Sequence, residues 1–409
     1  MVHLVRQRGT LFLAFVSAVL GLLAAFAAVG STIPLFNIYR AEDGFSNADI
    51  SLTVVSYSIG TISTLLVFGR LSNFVGRRAA ALISLGLLIA GCLVLLNVHE
   101  VWVLIAGRLL MGLGAGMASS TLTAYIVDAA PTKPGWLASV ASSQTVMLGL
   151  AIGAITSGAL VQFGPWRRDL IFIVGIVFLL VSAVLIYLSP ETVSPRPFTW
   201  LSLRPSVRVP ARIRHLLPVA AAVILPTWAT GAFYQAFVPA LVEDQLHTMS
   251  PLLLGLVFAS YMAPSAFGAP LGHLFTTATA QRVGMSAFFL GWVGIVTANT
   301  TGALPLFVVA TVVAGVGQGV AISSATHGLL FGSNLADRAP IFAVIYLLSY
   351  GGATVPSLIA GQLSAIVSIP QIAIGYAVFA LIGTAFTLIG AKNPHPPAVT
   401  NPTTAQAHP

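Results

Sequence analysis

Apart from short loops and its two ends, this chain is a succession of apolar runs of about twenty residues, and no soluble segment interrupts them. Such a run has the length needed to cross the hydrocarbon core of a bilayer as a helix. Lipid offers no partners to backbone N–H and C=O groups, so each run must satisfy them internally, and a helix does so. Twelve runs are read, at 11–33, 50–68, 79–97, 101–126, 137–161, 170–189, 216–238, 252–274, 283–300, 304–328, 339–365 and 371–391. The expected fold is an all-α membrane protein of twelve transmembrane helices. Only 7% of the residues are charged, against about 25% in soluble domains. That shortfall excludes a soluble enzyme, a nucleic-acid-binding domain and a disordered scaffold. The single cysteine, Cys92, lies inside an apolar run and reads as a packing residue.

The net charge of +8 is unevenly spread. Fourteen Lys and Arg fall in one set of loops, only Arg40, Arg167 and Arg168 in the other, and Arg108 lies inside a span. Positive charge is retained on the cytoplasmic side, so both termini are expected there, in agreement with an even number of spans. The first run follows Arg6 and Arg8 and contains the cleavage-like Ala25-Phe26-Ala27. It is too long for a signal h-region and more spans follow, so it is read as a retained helix. The connection 190–213 carries Pro190, Pro195, Pro197, Pro205 and Pro210. It reads as a basic cytoplasmic linker between two six-helix bundles, 1–189 and 214–391. Its stretch Arg204–Arg214 is a topology signal and spacer, or a segment lying on anionic headgroups. The Pro-, Thr- and Ala-rich tail 392–409 is expected to be disordered and cytoplasmic.

The sharpest local pattern follows the second span: Gly69-Arg70-Leu71-Ser72-Asn73-Phe74-Val75-Gly76-Arg77-Arg78. Gly69 allows close helix approach, Gly76 permits a tight turn, and the arginines anchor the loop on the inner side. Asp128, at the inner end of the fourth span, is the nearest carboxylate for Arg77 or Arg78. The stretch resembles the signature Gly-x-x-x-Asp-x-x-Gly-Arg-Arg/Lys of the major facilitator superfamily, and the resemblance extends over the twelve spans, the six-plus-six split and the basic linker. It implies two six-helix halves that alternate access to a midplane site. It also implies a gating loop formed by Gly69, Arg70, Asn73, Gly76, Arg77, Arg78 and Asp128. Asn73 stands where the family has Asp, so any latch there lacks the stronger, charge-assisted hydrogen bonds.

In the fourth span, Arg108-Leu109-Leu110-Met111-Gly112-Leu113-Gly114-Ala115-Gly116 puts Arg108, Gly112 and Gly116 on one helix face. A charge inside a membrane is a functional candidate by default. The run resembles the family's Arg-x-x-x-Gly-x-Gly motif, which is associated with proton coupling in exporters. An arginine that snorkels to the outer headgroups is the other reading. Gly149-Leu150-Ala151-Ile152-Gly153-Ala154 and Ser157-Gly158 resemble a degenerate antiporter motif of helix five, and equally a packing face of small residues. Gly164-Pro165-Trp166-Arg167-Arg168 resembles the turn before helix six. Gly268-Ala269-Pro270-Leu271-Gly272 before Arg282 reads as a decayed copy of the first-half loop. Pro226, Pro239, Pro264 and Pro356 mark kinks.

A midplane site between the halves draws on polar and aromatic residues within spans. From the first half these are Asn37 at the outer mouth, Tyr57, Arg108 and Gln144. From the second they are Trp228, Tyr234, Gln235, Tyr261, Gln318, Tyr346 and Tyr350. Trp228, Gly231 and Gln235 share a face, as do Tyr346 and Tyr350. His327 reads as a proton carrier or an interfacial histidine. No catalytic, metal or nucleotide motif is present, so neither enzyme activity nor a cofactor is expected. The expected function is secondary transport of a small organic compound, read first as proton-coupled export. The alternatives are an uptake carrier or facilitator of an organic anion or metabolite, or a non-transporting membrane receptor. The expected partners are that substrate, protons and the lipid bilayer, not nucleic acid. The expected unit is a monomer in a cell membrane, taken as a bacterial inner membrane.

Overall fold

The computed structural model describes residues 2–131, 133–134, 137–194, 209–246, 250–333 and 335–394. Among them are twelve helices long and apolar enough to cross a membrane. They are α1 (Val2–Gly30), α2 (Asn47–Val67), α3 (Arg77–Leu95), α4 (Val101–Ala129), α5 (Leu137–Phe163) and α6 (Leu170–Leu188), followed by α7 (Leu217–Ala236), α8 (Pro251–Ser265), α9 (Thr277–Thr301), α10 (Leu304–Leu330), α11 (Leu335–Leu363) and α12 (Ile369–Gly390). Most of the linker, 195–208, and the tail from 395 lie outside the described residues. Twelve crossings bring the start of α1 and the end of α12 to one side, called here the terminal face. The other side is the far face.

Local chemistry sets the ends. Ser46 caps α2 and exchanges hydrogen bonds with Asp49 in a capping box, and Ser368 does the same for α12 with Gln371. Ser250 and Thr276 cap α8 and α9. Gly302 ends α9 in the left-handed conformation, which a residue without Cβ adopts freely. The first span runs past its expected end at 33. A 3₁₀ turn at Ile33–Leu35, containing Pro34, leads into a further helix Phe36–Asp43 that lies at the far face. Pro226, Pro264 and Pro356 lie inside helices, and Pro239 lies in a short helix Val238–Leu246.

The helices form two six-helix halves. In the first, α1 packs on α4, α5 and α6, α4 on α2 and α3, and α3 on α6; in the second, α9 packs on α10 and α12, and α7 on α10, α11 and α12. The halves meet chiefly where α2 touches α11 and α5 touches α8. Glycines allow close approaches between helices. A Cβ at Gly60 of α2 would lie 2.6 Å from the Leu109 carbonyl of α4, and one at Gly149 of α5 would lie 2.9 Å from the Leu23 carbonyl of α1. Gly112 and Gly116 press onto the backbone of α2 at Tyr57 and Thr61, so the face that begins at Arg108 is a packing seam. Ile173, Val177, Leu180 and Val184 form an exposed stripe on α6, the surface a lipid-facing helix presents. Cys92 is a free, buried thiol in the core.

Candidate functional site

A cavity of about 660 Å³ opens between the halves. Its inner end is bounded by Phe26 of α1, Tyr57 of α2, and Gln235 of α7. From there it descends past Trp228, Gln318, Tyr346 and Tyr350 to His273, Phe275, His327 and Leu330 at the terminal face. This volume suits a small organic molecule. Of the eleven residues expected along the path, Tyr57, Gln144, Trp228, Gln235, Gln318, Tyr346 and Tyr350 line it. The helical spacing of Trp228, Gly231 and Gln235 does put all three on its wall. The Trp228 and Tyr350 rings meet at 4.9 Å between centroids.

The other four residues do not line the cavity. Tyr234 and Tyr261 are fully buried behind the wall and stacked at 4.3 Å. Tyr261 Oη donates to Gln318 Oε1 at 2.6 Å, and the Tyr234 hydroxyl bonds Thr311 Oγ1 at 2.7 Å. Asn37 lies at the far face, where its Nδ2 donates to the Pro239 carbonyl at 2.8 Å.

Arg108 is neither in open contact with the cavity nor snorkelled. It is the one fully buried charged side chain among the described residues. Its Nη1 donates to Thr32 Oγ1 at 3.0 Å and to the Val29 carbonyl at 3.3 Å, both of the first half. Its Nη2 crosses to the second half and donates to Gln235 Oε1 at 3.0 Å. The guanidinium carbon sits 4.6 Å from the Tyr57 ring centroid, a cation–π contact. Nε has no partner. A buried charge normally requires a counter-ion, yet every partner here is neutral. Tyr57 and Gln235 therefore stand between the charge and the cavity.

Beyond Arg108 the far face is shut. Arg40 Nη1 lies 3.4 Å from Glu243 Oε2 across the halves. Ser51 Oγ donates to the Ser357 carbonyl, and Ser250 Oγ to Gln162 Oε1 at 2.6 Å. Gly158 of α5 rests on the Pro251 backbone of α8, and Gly255 of α8 on Ala154 of α5. Inside the first half, Arg168 binds Glu42, Asp43 and the Val98 carbonyl. Partial burial alone would lower the Arg168 pKa, but the Asp43 carboxylate outweighs it, and the pKa is raised.

At the terminal face, the loop after α2 meets the end of α4. Arg77 Nε meets Asp128 Oδ2 at 2.8 Å, and its Nη1 donates to Ser72 Oγ at 2.6 Å. Asn73 makes no side-chain hydrogen bond among the described residues. The carboxylate that matters was not expected. Glu191, just past α6, accepts from the Arg77 and Arg78 backbone N–H groups at 2.8 and 3.0 Å, and so caps α3. Gly76 has φ of 94°, and a Cβ there would collide with that carboxylate. In the second half, Asn393 Oδ1 accepts from Ala278 N at the start of α9, and Arg282 Nη2 donates to the Ala391 carbonyl. Among the described contacts, this corner joins α9 to the end of α12 through these two hydrogen bonds. Phe26, Ser119 and Thr123 also line the cavity. Only the i, i+4 hydroxyl pair Ser119/Thr123 carried a signal that could have found them.

The family model described as Major Facilitator Superfamily matches residues 18–327. An MFS efflux transporter, aclA, of Aspergillus oryzae is 31% identical over 39% of this chain and 29% of its own length. Myo-inositol transporter 3 of Cryptococcus neoformans is 27% identical over 45% of this chain and 31% of its own. A putative sugar transporter, ERD6-like 13, of Arabidopsis thaliana is 31% identical over 47% of this chain and 38% of its own. The matches thus span about a third of these relatives. They are fungal and plant proteins and lend no support to the expected bacterial inner membrane.

Proposed function

The chain belongs to the major facilitator superfamily as a twelve-span, multi-pass membrane protein, and from that premise we propose that it carries a small, neutral, hydroxyl-rich solute by alternating access. The observation that carries this proposal is the cavity lining. Three amides, Gln144, Gln235 and Gln318, stand among Trp228, Tyr57, Tyr346 and Tyr350, and among the described residues no carboxylate, lysine or arginine lines the cavity. Neutral hydrogen-bonding groups beside aromatic faces suit a cyclitol or sugar, and the relatives named for inositol and sugar transport agree. The Lys and Arg bias supports a cytoplasmic terminal face, and on that reading the cavity is the inward-facing one.

Proton antiport lacks a mid-membrane carboxylate, and the histidines of the cavity, His273 and His327, stand at its terminal-face end, away from Gln235 and Arg108. The proposal is therefore uptake or facilitated movement down the solute gradient. Export remains the second reading, favoured by the similarity to the efflux transporter. The test uses purified protein in sealed liposomes and counterflow of radiolabelled myo-inositol and D-glucose. Saturable counterflow, unchanged when the proton gradient is collapsed, is the expected result. Loss of transport on collapse would restore proton coupling. No counterflow of any sugar or cyclitol would remove the substrate class.

A further inference from the structure

Gln235 belongs to two structures at once: it lines the cavity, and it is the partner that Arg108 reaches across the halves. Guanidinium groups only donate hydrogen bonds. The Gln235 group facing Arg108 must therefore be its carbonyl oxygen, and its NH₂ is left for the cavity. Gln318 also lines the cavity, but the group behind it differs: the Tyr261 hydroxyl lies 2.6 Å from Gln318 Oε1 and 3.3 Å from the Thr227 carbonyl, and a hydroxyl can either donate or accept. Of the two amides on the second-half wall, Gln235 is the one whose orientation a donor-only group dictates.

We infer that Gln235 acts as a fixed hydrogen-bond donor to the solute, and that Arg108 is a positioning residue that sets the polarity of Gln235. An amide free to rotate offers a donor or an acceptor as the ligand requires. With its oxygen engaged, it offers a donor only. A solute facing Gln235 must present an acceptor oxygen, and one presenting an ammonium there leaves that donor unpaired. The inference rests on the proposed transport of a hydroxyl-rich solute and adds its selectivity: a hydroxyl, ether or carbonyl oxygen toward Gln235 of α7, and rejection of an amine there. It also ties solute contact to closure, because the bond that orients Gln235 joins the halves.

Two measurements test it on the full-length protein. The first needs no solute. Spin labels at Asn97 and Thr300, exposed at the far face in opposite halves, are placed in a Cys92→Ala background. The distance distribution between them is then recorded for Gln235→Glu and Gln235→Leu. Gln235→Glu keeps an oxygen toward Arg108 and should hold the far face closed at least as fully as the unsubstituted protein. Gln235→Leu should open it. The same opened distribution for both variants would overturn the inference. The second measures binding of myo-inositol and its monodeoxy-fluoro and monodeoxy-amino analogues. Fluorine accepts but does not donate, and an ammonium only donates. At the position facing Gln235, the fluoro analogue should bind close to the parent and the amino analogue about tenfold more weakly. In Gln235→Glu that order should reverse. Equal binding of amino and fluoro analogues at every ring position would also overturn the inference. If no analogue binds the unsubstituted protein while the spin-label result is as expected, the proposed solute class fails and the Arg108-set orientation of Gln235 stands.

Discussion

The two ends of the cavity are secured differently. At the far face the bonds run from one half to the other: Asn37 to Pro239, Arg40 to Glu243, Ser51 to Ser357, Ser250 to Gln162 and, deeper, Arg108 to Gln235. At the terminal face the ionic cluster of Arg77, Asp128 and Glu191 stays within the first half. The cross-half bonds are mostly single and neutral, each worth about 1 kcal/mol net, and they can break one after another. In that cluster the Arg77 guanidinium pairs with Asp128, and Glu191 holds the Arg77 and Arg78 backbone N–H groups. The cluster keeps α3, α4 and the end of α6 together as a unit. Halves that are rigid inside and weakly joined to each other are what alternating access requires.

Two glycines on one helix give the sharpest way to break that contrast. Gly153 of α5 packs on Ala27 of α1 within its own half, whereas Gly158 packs on Pro251 of α8 in the other half. Gly153→Val forces α1 and α5 apart and should destabilise the fold by roughly 3 kcal/mol, seen as a fall of several degrees or more in the melting temperature in detergent. Gly158→Val meets an equally close backbone, but the halves can separate to relieve it. Its melting temperature should fall less, and the far face should open, as read by the Asn97–Thr300 label distance. Equal destabilisation with the far face still closed would show that the junction between halves is as rigid as their interiors.

The same contrast governs how much the sequence reveals. The twelve helices are legible because the bilayer imposes one length and one composition on each of them. Trp228, Gly231 and Gln235 are legible as a face because helical spacing alone brings them together. Arg77 with Asp128 is legible because the loop motif announces a cation and a carboxylate ends the facing helix. Glu191 is not, since it lies 114 residues from Arg77 and its role depends on how α6 ends beside α3. Tyr234 and Tyr261 carry the same residue type as Tyr346 and Tyr350, yet they support the wall from behind. Periodicity gives the face of a helix, and only packing decides which faces look into the cavity. Arg108 belongs to the same class: its burial among neutral partners follows from three other helices, not from its own.

Glu191→Gln probes the interior of the half. The amide still offers one oxygen to the Arg77 and Arg78 N–H groups, but it loses the charge that favours a helix N-terminus. The expected cost is about 1 kcal/mol, and about 2 kcal/mol for Glu191→Ala, which leaves both groups without their cap. Melting curves in detergent check the order. The far-face label distance should stay unchanged in both variants, because the cluster does not cross between the halves. A shift in that distance would mean that the two ends are coupled through α3 and α6.

The smallest effect is expected at the Arg40–Glu243 pair. It crosses the halves, as Arg108–Gln235 does, but its side chains are 22% and 27% exposed, with 3.4 Å between the charged atoms. Water and ions screen such a pair, and its worth is under about 1 kcal/mol. Arg40 also donates to Asn37 Oδ1, so Arg40→Gln keeps a polar neighbour for Asn37 while removing the charge. The closed fraction of the far face should fall by less than about threefold, and raising salt from 0.05 to 0.5 M, roughly a threefold shortening of the screening length, should erase the difference from the unsubstituted protein. A larger effect, or one that persists in high salt, would move the main closing interaction from the buried Arg108 level out to the rim, and the contrast between a weakly joined face and a rigid half would then rest on charge at the surface.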